Sequence, residues 1–82
     1  GMFLYETVYD MAAAYLYHII QNHPFLDGNK RTGAGIALIF LKGNKVQLML
    51  RQDLYEELVL RVAQGECEKE EIAEFFRKSS VS

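Results

Sequence analysis

Residues 22–33, "NHPFLDGNKRTG", hold an imidazole (His23), a carboxylate (Asp27), a glycine (Gly28), a carboxamide (Asn29), an ammonium (Lys30) and a guanidinium (Arg31). Folding alone does not require this mixture in one loop. His23 can exchange a proton near neutral pH, so it suits the role of general base towards an incoming hydroxyl. Asp27 is an acceptor-only group. It suits Mg²⁺, which takes one or two carboxylates together with substrate phosphate oxygens. Gly28 lets the backbone turn sharply and come close to a ligand. Asn29 can cap a helix or give its amide to a phosphate oxygen. Lys30 and Arg31 add full positive charges, and the planar guanidinium matches phosphate geometry. Phe25 is expected to bury its ring beneath the loop and hold its shape. Base, metal ligand, anion cradle and charge clamp are the parts that phosphoryl or nucleotidyl transfer needs.

Each residue also has a plainer reading. A single histidine at a helix end is commonly a cap or a solvated group, Asp-Gly is commonly a turn, and Lys-Arg is commonly a solvated face. The ordered run of all of them, directly ahead of an apolar segment, is what points to chemistry.

Four helices are expected to position this loop. The first runs from about Tyr5 to Gln21, where Tyr5, Val8, Tyr9, Ala12, Leu16 and Ile19 form one apolar face. Pro24 stops it, because the residue before a proline avoids the helical region. The second runs from about Lys30 to Lys42, and its body "GIALIFL" is apolar on every side, the pattern of a helix buried at the centre of a bundle. Gly33 and Gly35 lie in its first turns and cost roughly 1 kcal/mol each against alanine, which the close approach of a helix or a ligand would justify. Gly43-Asn44 is the expected stop. After a short extended "NKVQLML", a third helix covers about Arg51 to Gln64 with Leu54, Leu58 and Val62 inward and Gly65 capping its end. A fourth covers about Glu68 to Lys78 with Ile72, Phe75 and Phe76 inward. Acidic residues open it and Arg77-Lys78 close it, in keeping with the helix dipole. From Ser79 onward the chain is expected to fray.

The loop places the helix start where backbone N–H groups are unpaired and partly positive, a ready anion site. Two cations at that end oppose the dipole at about 0.3–1 kcal/mol each, a cost that a bound polyphosphate offsets.

The run from His23 to Arg31 resembles the signature of the Fic/Doc family, His-x-Phe-x-(Asp/Glu)-Gly-Asn-(Gly/Lys)-Arg. It matches at His23, Phe25, Asp27, Gly28, Asn29, Lys30 and Arg31. The resemblance extends more loosely from about Tyr5 to Arg77. It implies an all-α fold, a small helical bundle around a central buried helix that follows the "HPFLDGNKR" loop. Members of the family that transfer AMP usually have glycine in place of Lys30 and a second arginine in place of Ala34, so "DGNKRT" is similar to the Doc (death-on-curing) branch, the toxins of toxin–antitoxin pairs. The resemblance implies a phosphotransferase that uses ATP and Mg²⁺ to phosphorylate a threonine of elongation factor Tu and so stops translation. His23 would activate the target hydroxyl, Asp27 would hold the metal, and Gly28, Asn29, Lys30 and Arg31 would hold the phosphates. The first alternative is AMP transfer. The second is a shortened, inactive remnant that only binds an antitoxin or itself.

The inhibitory Ser/Thr-x-x-x-Glu-(Gly/Asn) pattern of Fic proteins is not found, since Thr7 is followed four residues later by Met11. Doc-like toxins are silenced by a separate, Phd-type antitoxin, which the resemblance implies as a partner. Such chains usually carry further residues before the first helix read here. The expectation is therefore a single domain over residues 2–78, short of the usual N-terminal helices, with a frayed tail over 79–82. Gly1 before Met2 reads as an expression remnant. A central helix left partly uncovered favours a homodimer or other self-association.

The 82 residues suffice for one domain. A net charge of −2 provides no basic stripe, which argues against nucleic acid as the main partner. The lone Cys67 cannot form an internal disulfide and favours a reducing cytoplasm. The apolar run from Ile36 to Leu41 is too short to span a bilayer. His18 is expected at the surface, and Cys67 is expected before the last helix without a catalytic partner. Two histidines and one cysteine show no zinc spacing.

Overall fold

The computed structural model describes residues 7–22 and 29–81. These form four helices, α1 (Val8–Asn22), α2 (Asn29–Gly43), α3 (Gln52–Ala63) and α4 (Lys69–Ser79). The all-α expectation holds. The expected starts of α2, α3 and α4 fall within one residue of the observed ones.

Local chemistry sets the ends. Thr7 opens α1 with a reciprocal cap: its Oγ1 accepts from the Asp10 N–H at 3.2 Å, and its own N–H donates to the Asp10 carboxylate at 3.2 Å. At the end of α2, Asn44 donates from both its backbone N–H and its side-chain amide to the Phe40 carbonyl. The left-handed residue that follows is Lys45, at φ +66°, rather than Gly43 or Asn44. Gly65, at φ +76°, closes α3, as its spacing suggests. The Gln21 amide adds a long-range tie, donating to the Val62 carbonyl at 2.7 Å in the last turn of α3.

The core forms around α1, which packs on α2 and α4 and also touches α3. Ala12, Ala13, Leu16 and Ile20 of α1 meet Ala37 and Leu41 of α2, Tyr55, Leu58, Val59 and Val62 of α3, and Ile72, Ala73 and Phe76 of α4. Small residues on α1 let its neighbours approach. A Cβ added at Gly33 would lie 3.4 Å from both Ile19 and Ile20, so this glycine sits at the α1–α2 crossing.

Three details differ from the sequence expectation. The helix expected to be buried all round is buried along one stripe, Gly33, Ala37 and Leu41, while Ile39 is 72% exposed and Ile36 is 39% exposed. Within the described residues α1 is the element at the centre. On α3 the inward register is Tyr55, Leu58, Val59 and Val62, and Leu54 is exposed. The ring of Tyr55 stacks on Phe75 and tilts against Phe76, and that aromatic packing sets which face turns inward. The segment expected to fray at Ser79 is instead paired. Ser79 ends α4, Ser80 bridges Leu48, and backbone bonds run from the Met49 N–H to the Ser79 carbonyl and from the Val81 N–H to the Gln47 carbonyl. Among the described residues no helix is long and apolar enough to cross a membrane.

Candidate functional site

The start of α2 is where the motif run meets regular structure. The roles expected of His23, Phe25, Asp27 and Gly28 fall on residues outside the described ones. Asn29 and Lys30 open α2 in the backbone, and the roles expected of their side chains also lie outside the description. Arg31 is described, and its side chain is exposed at this helix end.

The first turn of α2 carries no acidic residue. Its N-terminal N–H groups and the Arg31 guanidinium therefore present positive potential with no carboxylate of that turn to neutralise it. Negative charge on a ligand is stabilised there, and a phosphate can take both backbone N–H groups and the guanidinium fork. Among the described residues no group of three or more His, Cys, Asp or Glu side chains could hold a metal ion.

Arg31 also borders a groove of about 590 Å³ between α2 and α3. Ala34, Gly35 and Leu38 form one wall, and Gln52, Tyr55, Glu56, Val59 and Leu60 form the other. The groove lies where α2 and α3 touch only sparingly. The two glycines near the start of α2 now separate. Gly33 packs against α1, whereas a Cβ at Gly35 would meet nothing within 4 Å and would project into open space. The floor is tied by the Tyr55 hydroxyl, which donates to the Ala34 carbonyl at 2.8 Å. Tyr55 is 2% exposed, and burial pushes its hydroxyl well above the usual phenol range. It therefore stays protonated and remains a donor. This contact escaped the sequence reading, which placed Leu54 inward. The available signal was the spacing of Tyr55 with Leu58, Val59 and Val62.

The remaining candidates stay outside the site. His18 is exposed on α1 and borders a separate apolar hollow with Met11, Ala14, Tyr15 and Ile19, as its surface assignment implies. Cys67 is buried immediately before α4. Burial first, then the charge of Glu71, raise its thiol above the ordinary range. A nucleophilic cysteine needs the opposite shift.

Comparison with known proteins agrees with the motif. A model described as the Fic/DOC family matches residues 1–41, half of the chain. The chain is 40% identical over 75 residues to Toxin Doc of Mycolicibacterium smegmatis, an alignment covering 89% of this chain and 58% of that protein. It is 35% identical over 77 residues to Protein kinase doc of Escherichia phage P1, covering 90% of this chain and 60% of that protein. The chain thus spans rather under two thirds of the length of these curated relatives.

Proposed function

Because the chain belongs to the Fic/DOC family, on its Doc side, we propose that it phosphorylates a protein hydroxyl with ATP, as part of a toxin restrained by a Phd-type antitoxin. The observation that carries this reading is the start of α2, whose first turn holds no acidic residue and carries an exposed arginine, directly following a run that matches the family signature. The name of the phage P1 relative, a protein kinase, supports phosphate rather than AMP as the transferred group. Lys30 and Ala34 stand where the AMP-transferring pattern has glycine and arginine.

In the proposed reaction His23 accepts the proton of the acceptor hydroxyl. The oxygen so activated bonds to the terminal phosphorus of ATP, the bond from that phosphorus to the bridging oxygen breaks, and ADP leaves. Arg31, with Lys30, Asn29 and the N–H groups of the first turn of α2, holds the phosphates and stabilises the charge that moves onto the leaving oxygen. Asp27 would hold Mg²⁺, which neutralises phosphate charge and orients the phosphate oxygens. A threonine of elongation factor Tu is the proposed acceptor, its modification would block translation, and the cytoplasm is the matching compartment. The exposed face of Met11, Tyr15, Ile36 and Ile39 supports self-association. Sedimentation of the protein and of an Ile39→Glu variant checks this: the wild type should be a dimer or larger and the variant monomeric.

The test of the function is transfer from ATP labelled on its terminal phosphate, with Mg²⁺ and elongation factor Tu. Label on a threonine, absent with His23→Ala, is the expected result. Label arriving only from the α-phosphate position would mean AMP transfer. Absence of either label, with no binding of Mg-ATP, would leave a binding module.

A further inference from the structure

The tie between Tyr55 and Ala34 does more than fill the core. Ala34 lies three residues after Arg31, one turn deeper into α2. Within a helix a carbonyl accepts from the N–H four residues on, and its second lone pair is free for another donor. The Tyr55 hydroxyl takes that position at 2.8 Å from the opposite helix. Its ring cannot easily move, since it is 2% exposed and lies 5.9 Å from the ring of Phe75 and 5.8 Å from that of Phe76, both on α4. Elsewhere α2 and α3 make little contact, and the groove between them is open along Gly35 and Leu38. Among the described residues, the first turns of α2 are therefore held from the α1 side by the Gly33 crossing and from the α3 side by the Tyr55 hydroxyl.

We propose that Tyr55 is a positioning residue: its hydroxyl fixes the first turns of α2 against α3, and so fixes where Arg31 and the N–H groups of that helix start stand. The link to catalysis rests on the function proposed above. A phosphate clamp acts through position, and a shift of about 1 Å in such a group can cost on the order of a hundredfold in rate. A phenylalanine here keeps the ring and its packing and removes only the tie. The Ala34 carbonyl would retain its partner within α2, so the variant should fold.

The experiment compares Tyr55→Phe with the wild type and with Ile72→Val, a mild change in the shared core on α4 at a residue that does not line the groove. Hydrogen–deuterium exchange is read residue by residue. In Tyr55→Phe, the amides from Gly33 to Leu38 should exchange roughly tenfold faster, the factor that loss of about one hydrogen bond gives, while those of α4 stay unchanged. Ile72→Val should show no such selectivity. Equal acceleration throughout the molecule, or no acceleration in α2, overturns the positioning role. Phosphate transfer is then measured on the same proteins. The expected result is a fall of roughly tenfold or more in kcat for Tyr55→Phe with a smaller change in KM for ATP, and an unchanged kcat for Ile72→Val. Faster exchange in α2 with an unaltered kcat overturns the catalytic part of the proposal. A wild-type protein that transfers nothing sinks the underlying functional reading, while the exchange data still decide whether Tyr55 holds the helix.

Discussion

Helices α2 and α4 begin with opposite charge. The first turn of α4 carries Glu70 and Glu71, its last turn carries Arg77 and Lys78, and Glu71 pairs with Arg61 at 2.8 Å. Apart from Lys69 at its start, the charges of its end turns lie where the helix dipole favours them. The first turn of α2 has no acid and holds Lys30 and Arg31 instead. The end of α4 is arranged for stability. The start of α2 gives up a little stability, and a bound phosphate is what would offset that loss. Under the proposed function, the contrast separates a scaffold helix from a phosphate-binding one.

Four variants break or sharpen this contrast. His23→Ala should lower the transfer rate by about 10²- to 10⁴-fold, the usual range for a lost general base, with helix content by circular dichroism unchanged. Phe76→Ala should act in the opposite way. It empties a fully buried site on α4 and should cost about 3–5 kcal/mol in urea unfolding, without a specific effect on nucleotide binding by the fraction that remains folded. Glu70→Lys gives α4 the charge order of α2 and should lower stability by about 0.3–1 kcal/mol. Arg31→Glu gives α2 the charge order of α4 and should raise stability by a similar or smaller amount, read as a small increase in unfolding midpoint. A loss of stability in Arg31→Glu would mean that the arginine is a structural group.

Sequence reasoning found the elements and missed some of their faces, for identifiable reasons. Helix ends are written locally, in Gly65 and in the motif run that opens α2. The inward register of α3 is not. Leu54, Leu58 and Val62 satisfy helical spacing as well as Tyr55, Leu58 and Val62 do. The choice is made by Phe75 and Phe76, some twenty residues on. The pairing of Ser79–Val81 with Gln47–Met49 is likewise a long-range backbone match that no local pattern encodes. The glycines of α2 read alike in sequence, yet Gly33 packs on Ile19 and Ile20 while Gly35 borders a groove. In the candidate site the family motif was readable because it sits in one contiguous run. Tyr55 was not, because its partner Ala34 lies on another helix.

The most direct test of the central claim is a calorimetric titration of the protein with Mg-ATP, repeated on Arg31→Glu. The charge inversion at α2 predicts saturable binding by the wild type and a dissociation constant at least roughly tenfold weaker in the variant, equivalent to about 1.4 kcal/mol, with the variant folded and no less stable. Equal affinity in the two proteins, or no binding by the wild type, would contradict it.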